Sequence, residues 1–350
     1  MRLLVTGGSG FIGRAVVEAA LDVGWDVRIV DSLRPDVHAA APDPVEGVEW
    51  MRGDVRDAAL ISAALEGVDV VSHQAAKVGL GVDFADAPDY VSSNELGTAT
   101  LLAAMAAGQT SRLVLASSMV VYGEGAYLGT DGLRRPAPRA AADLDAGRFD
   151  PLDSDGLPLA PALIDEDFAV DPRNVYAATK LAQEHLAAAW ARATGGVAVA
   201  LRYHNVYGPR MPQNTPYAGV ASLFRSAVQR GEPPRVFEDG RQRRDFVHVN
   251  DVASANLAAV DWTEFAPRGG FRAFNVGSGE VHTVGELATA IAAHAEGKPP
   301  VVTGEYRLGD VRHITASSAR LRSELGWMPS VAFDDGMREF AAAPLRAAVG

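Results

Sequence analysis

Thr6-Gly7-Gly8-Ser9-Gly10-Phe11-Ile12-Gly13 decides the fold. It follows the apolar run Leu3-Leu4-Val5 and opens a helix-like stretch from about Phe11 to Val23. Gly7 permits a tight turn after a buried strand. Gly10 lets backbone approach a pyrophosphate, and Gly13 lets the helix pack closely on the strand. The helix start then offers free N–H groups and the positive end of its dipole to phosphate oxygens.

Outward from this loop, short apolar runs alternate with helix-like runs through the first part of the chain. Val27-Arg28-Ile29-Val30, Val68 to Ser72 and Arg112 to Ala116 read as strands, and Tyr90 to Ala107 as a helix. Such alternation predicts an α/β fold, a Rossmann-type doubly wound parallel sheet covered on both faces. Tyr127 to Asp167 breaks the pattern with five prolines and many charges. It reads as an insertion with little regular structure, either a lid or contact surface or a solvated excursion. An Ala-rich helix, Val175 to Thr194, and a strand, Val197 to Arg202, follow. The predicted organisation is an NAD-binding domain over 1–203, returning at about 246–262. A smaller α/β substrate lobe is expected from 204–245 and 263–350.

Composition narrows the function. The formal charge of −12 disfavours a nucleic-acid surface. Cysteine is absent, which excludes disulfides, thiolate catalysis and Cys-ligated zinc. No apolar stretch approaches the ~18 residues that a membrane span needs, so a cytoplasmic protein that touches neither membrane nor nucleic acid is expected. No metal site is expected.

Asp31 ends the second strand, where a carboxylate accepts hydrogen bonds from ribose hydroxyls and repels a 2′-phosphate. NAD is favoured over NADP, although Arg34 nearby suits a 2′-phosphate. Asp54 and Val55, in Gly53-Asp54-Val55-Arg56-Asp57, are placed to edge the adenine. Tyr176 and Lys180 lie four apart on a helix and share a face. A lysine ammonium beside a phenol favours the phenolate. Tyr176 can then take a proton from a substrate hydroxyl. Ser118 ends a strand, where open α/β sheets build their sites. Plainer readings stand beside these: Asp31 as a turn residue, Ser118 as a strand-end cap, Arg244 as a surface ion pair. His73, His204 and His248 read as structural histidines.

Taken together, this order of motifs resembles the extended short-chain dehydrogenase/reductase family, and within it the nucleotide-sugar epimerase and dehydratase group. The resemblance runs from Met1 to about Pro329. It implies that Ser118, Tyr176 and Lys180 are catalytic. It implies cofactor contacts at Gly7, Gly10, Phe11, Ile12, Gly13, Asp31, Asp54, Val55, Ser117 and Tyr203, and at Tyr176 and Lys180 themselves. His73-Gln74-Ala75-Ala76-Lys77 resembles the segment whose Ala pair and Lys line the cofactor, and Asn94 matches an Asn that braces the active-site helices. Substrate contacts are implied at Ser118, Met119 and Val120, and at Asn205 in the Leu201–Pro209 segment. Arg244, in Arg244-Asp245-Phe246-Val247-His248, and Arg307 and Asp310 would hold the diphosphate and nucleoside ribose; guanidinium forks match phosphate oxygens.

Family dehydratases carry an acidic pair just after the serine. Here Met119 and Val120 stand there, and neither can move a proton. An epimerase needs no further acid, so an NAD-dependent 4-epimerase acting through a 4-keto sugar is the expected activity. A nucleotide-sugar reductase or dehydrogenase, or a dehydratase, is the alternative. The insertion is similar to that of deoxysugar-nucleotide epimerases such as the dTDP-L-rhamnose 4-epimerases. It lacks their Cys-x-x-Cys: Leu152-Asp153-Ser154-Asp155-Gly156 stands in that place. A homodimer is the implied assembly.

Overall fold

The computed structural model describes residues 1–40, 42–79, 83–129, 132–213 and 219–347. Residues 130–131 of the insertion, and 214–218 and 348–350 of the expected lobe, lie outside the described residues.

Seven parallel strands form the central sheet: β1 (Arg2–Thr6), β2 (Asp26–Asp31), β3 (Val48–Arg52), β4 (Val70–His73), β5 (Arg112–Ser118), β6 (Val197–Tyr203) and β7 (Phe271–Val276). Their order is β3-β2-β1-β4-β5-β6-β7. Order reverses between β1 and β4, the place where such sheets bind ligands. Alternate residues of one strand go to opposite faces. Leu3 and Val5 thus join one core layer, with α1 (Phe11–Asp22) and the Val249–Phe265 helix. Leu4 joins the other, with the helices Ala58–Ala64, Gly97–Ala107 and Val175–Thr194. The Val175–Thr194 helix starts where the Asn174 side chain accepts from Ala177 N. It stops where Gly195 turns left-handed at φ 75°.

Three sequence expectations need amendment. The helix expected from Tyr90 to Ala107 is broken by a π-helical turn, Val91–Leu96, which carries the fully buried Asn94. Such turns recur at functional sites. Strand β7 lies inside the 263–350 stretch assigned to the substrate lobe, yet it pairs along β6 in the main sheet. The insertion has more order than its prolines suggested. Ala126–Gly129 pairs with Gly132–Arg134 and with Pro161–Ala162, and Ala141–Asp145 is helical.

The C-terminal half adds a three-stranded sheet of Asn205–Tyr207, Arg243–His248 and Val281–Thr283. Phe224, Leu287, Ile291, Met337 and Phe340 give it a core of its own. Among the described residues no helix is long and apolar enough to cross a membrane.

Candidate active site

The loop after β1 is shaped by the absence of side chains. Gly7 has φ +69°, and a Cβ there would sit 2.7 Å from Ala75 N. A Cβ on Gly13 would lie 2.1 Å from Gly7 O. No side chain fits at either place, so α1 starts against the loop and faces its N-terminus into a cleft. The cleft is lined by Gly7, Gly10, Asp31, Arg34, Asp54, Val55, Gln74, Ala75, Ala76 and Lys77, among others.

Asp31 is buried and already accepts from Ser9 N (3.0 Å) and Leu33 N (2.9 Å). Its carboxylate is thereby held where a ribose would meet it. Arg34, the feature that could have welcomed a 2′-phosphate, is bound to Asp36 and Asp89 at 2.8 and 2.7 Å. Asp89 also takes Lys77 Nζ at 2.7 Å. The hydrogen bond from Arg34 comes first among the causes that hold the Asp89 carboxyl well below its usual range. Two carboxylates thus answer the Arg34 charge. A glycine cradle, a helix start and an acidic ribose position fit NAD.

Several residues expected at the cofactor have side chains engaged elsewhere. The Phe11 side chain packs into the C-terminal core and Ile12 into the main core, leaving their backbone to the cradle. The Tyr203 hydroxyl is engaged by Asn256 and Gln74, so it meets the cleft only through Gln74. Ser117 donates to Glu184 at 2.5 Å. Asn94 accepts from Lys77 N and donates to Lys77 O and Thr179 Oγ1, tying the π turn to the Val175–Thr194 helix.

Tyr176 and Lys180 occupy the first turns of that helix, beside the end of β5. Lys180 Nζ lies 5.9 Å from the Tyr176 ring centroid and donates to Ala116 O at 2.9 Å. Burial pulls the Lys180 ammonium down to about 7, against the opposing charge of Glu184. Tyr176 is half-buried, while its hydroxyl is enclosed. Burial raises that hydroxyl above the usual phenol range, and a hydrogen bond with Ser118 works the other way. The sequence argument expected the lysine to lower the phenol. Here enclosure dominates, and the ammonium is turned to a carbonyl. A further buried positive charge is what would bring the phenol down.

Met119 and Val120 follow Ser118 on a 3-10 turn, Met119–Tyr122. Asn205 Nδ2 contacts Met119 Sδ (3.6 Å) and Asp245 O (3.3 Å), so the structure brings Ser118, Met119 and Asn205 together. Arg244 has no carboxylate partner among the described residues. It donates to the carbonyls of Val311 (2.6 Å), Arg312 (2.9 Å) and Arg243 (2.8 Å). Arg307 is exposed over the Phe237 ring at 5.2 Å, and burial pushes the Asp310 carboxyl up.

Sequence reading missed Glu184 and Arg202, a buried pair (2.7 Å) that ties the Val175–Thr194 helix to β6. Arg202 also donates to the Tyr122 hydroxyl. Glu184 was within reach, being one helical turn past Lys180. It also missed Glu124, Arg139, Glu238 and Arg312, whose partners are far away in sequence.

The family model for the NAD dependent epimerase/dehydratase family matches residues 3–142 and 152–277. The chain belongs to that family, and within it the protein is an NAD-dependent nucleotide-sugar epimerase. It is 35% identical over 346 residues to a dTDP-L-rhamnose 4-epimerase of Burkholderia thailandensis, covering 97% of this chain and 93% of the relative. It is 30% identical to a putative UDP-glucose 4-epimerase of Methanocaldococcus jannaschii, covering 96% of each. Among solved structures, the UDP-glucose 4-epimerase of Thermus thermophilus in complex with NAD aligns with a TM-score of 0.76 at 31% identity. That alignment covers 97% of this chain and 98% of the other.

Proposed function

We propose that the enzyme epimerises C4 of a nucleotide-diphosphate sugar through a 4-keto intermediate, with a dTDP-linked deoxysugar of the L-rhamnose type as substrate. The observation that carries the reading is the seam at the end of β5. Tyr176 and Ser118 meet there above Lys180, and Met119 and Val120 stand where a dehydratase needs acids. The relative from Burkholderia thailandensis supports the choice of sugar.

NAD, when bound beside this seam, supplies the two-electron acceptor and donor and the positive charge of the oxidised ring. Tyr176 removes the proton of the C4 hydroxyl and returns it after the hydrogen at carbon is replaced from the opposite face. Ser118 hydrogen-bonds the reacting oxygen as alcohol and as ketone. Lys180, 5.9 Å from the Tyr176 ring centroid, adds positive charge there when protonated, and the charge of the oxidised ring would supply the rest of what opposes the cost of a buried phenolate. Asn205, Arg244, Arg307 and Asp310 hold the sugar diphosphate and ribose. Two copies of the chain pair through the Gly97–Ala107 and Val175–Thr194 helices, with Val91 and Leu96 exposed on the adjoining π turn. A monomer mass by small-angle scattering would remove the dimer.

The test is product analysis by mass and NMR with dTDP-L-rhamnose, UDP-glucose and UDP-glucuronate and no added reductant. A new isomer of unchanged mass is expected, from dTDP-L-rhamnose above the others. Loss of water, or NADH formed in step with substrate loss, would overturn the reading.

A further inference from the structure

Arg312 is fully buried, and a buried guanidinium must find its charge partners inside the protein. It finds three: Asp150 (2.7 Å), Glu238 (2.8 Å) and Asp239 (2.7 Å). Asp150 belongs to the insertion. Arg139, also of the insertion and nearly buried, ion-pairs with the same Glu238 at 2.8 Å. Its other donors go to Phe149 O (3.0 Å) and to Asp310 O (2.7 Å). The Glu124 carboxylate, just ahead of the insertion, accepts from Arg312 N and His313 N at 3.0 and 3.1 Å. At the surface end, Tyr306 donates to Asp145 at 2.6 Å. The backbone from 306 to 313 is therefore gripped along its length by the insertion and its root.

That same backbone aims the groups assigned to the nucleotide. Arg307 and Asp310 sit on it, and Arg244 is held by its carbonyls at 311 and 312. We propose that Arg139 and Asp150 are positioning residues, and that the insertion is a docked clamp which sets affinity for the nucleoside diphosphate by fixing the 306–313 segment. This rests on the reading that Arg244, Arg307 and Asp310 hold the diphosphate and ribose. A lid would close over ligand with exchangeable contacts. A clamp joined through buried charges has no such freedom, because removing one partner strands the others.

The test measures dTDP and UDP binding calorimetrically on the full-length, NAD-loaded enzyme, together with KM, kcat and bound NAD. Arg139→Gln is expected to weaken nucleoside diphosphate binding about tenfold or more, the equivalent of about 1.4 kcal/mol. KM should rise in parallel, while kcat at saturation and NAD content stay near the wild-type values. Arg139→Lys keeps the charge but not the fork, and should fall between. Tyr306→Phe disturbs only the exposed end, so it reads out the clamp even if Arg139→Gln does not fold; a smaller loss in the same direction is expected. If the wild type binds dTDP or UDP and the folded variants bind it equally well, the clamp is wrong and the nucleotide assignment survives. Equal losses in kcat and NAD content would also overturn it, by showing general damage. If the wild type binds neither nucleotide, the assignment of Arg244, Arg307 and Asp310 fails, and the clamp with it.

Discussion

The cofactor cradle and the docked insertion are held together by different physics. The cradle works by leaving atoms out. Its decisive contacts are backbone against backbone, and a single methyl at Gly7 or Gly13 would occupy space already filled. The dock works by charge. Arg312 and Asp150 stand 162 residues apart in sequence, and Arg139 reaches Asp310 across 171. The glycine pattern itself is written within eight residues, even though Gly7 presses against Ala75 after β4, whereas each ion pair of the dock is defined only once the whole chain has folded. Between them, at the end of β5, Tyr176 and Lys180 use neither device. Enclosure tunes their protonation.

If that division is right, damage should separate cleanly. The largest effect is expected at the seam. Tyr176→Phe should lower kcat by about 10²–10⁴, the usual contribution of general acid–base catalysis, with bound NAD and thermal midpoint unchanged. Loss of NAD in that variant would join the seam to the cradle and break the division. Arg312→Ala comes next. It leaves Asp150, Glu238 and Asp239 crowded around an empty position, which should cost about 3–5 kcal/mol of stability by denaturant unfolding. NAD retained by the surviving folded fraction should be normal. Gly13→Ala should do the reverse, costing about 1–3 kcal/mol as an overpacked site but releasing NAD from protein that remains folded. An Arg312 variant that sheds NAD, or a Gly13 variant that keeps it, would show that the two regions are one unit.

The same division explains what could be read in advance. Strand and helix order, the glycine loop, Asp31 and the Tyr176–Lys180 pair all rest on spacing within one element or one turn, and the sequence carries that spacing openly. Strand β7 escaped because its partner, β6, lies far earlier in the chain, and its own apolar run, Phe271 to Val276, suits either lobe. The insertion looked disordered because proline and charge are read locally as breakers. Its Arg139 and Asp150 are complementary to Glu238 and Arg312, and nothing local reveals that. The direction of the Tyr176 shift escaped for a third reason. Pair chemistry is visible in a Tyr-x-x-x-Lys spacing, but depth of burial is a property of the folded surroundings.

Two buried histidines give the finest test, because enclosure acts on both while hydrogen bonding acts on one. His73 contacts Thr6 Oγ1 (2.7 Å) and Thr98 Oγ1 (3.0 Å), while both ring nitrogens of His204 lack a partner among the described residues. Burial lowers each to about 3, from an ordinary value of 6.5. Between those limits the unfolded chain binds a proton that the folded chain refuses. Stability therefore rises with pH through that window and is lost on acidification below about 6.5, by about 1.4 kcal/mol per pH unit for each histidine. His73→Phe should strip the Thr6 hydroxyl of its close partner, while Thr98 Oγ1 keeps Asn94 O and Gln183 Nε2, and cost about 1–3 kcal/mol at pH 7.5. His204→Phe strands nothing, so its cost there should be near zero. Each variant should nevertheless lose one proton's worth of acid slope when urea unfolding is compared at pH 7.5 and pH 5. A slope unchanged in His204→Phe would mean that its ring takes up a proton in the folded state, and that enclosure at the end of β6 is weaker than the structure shows.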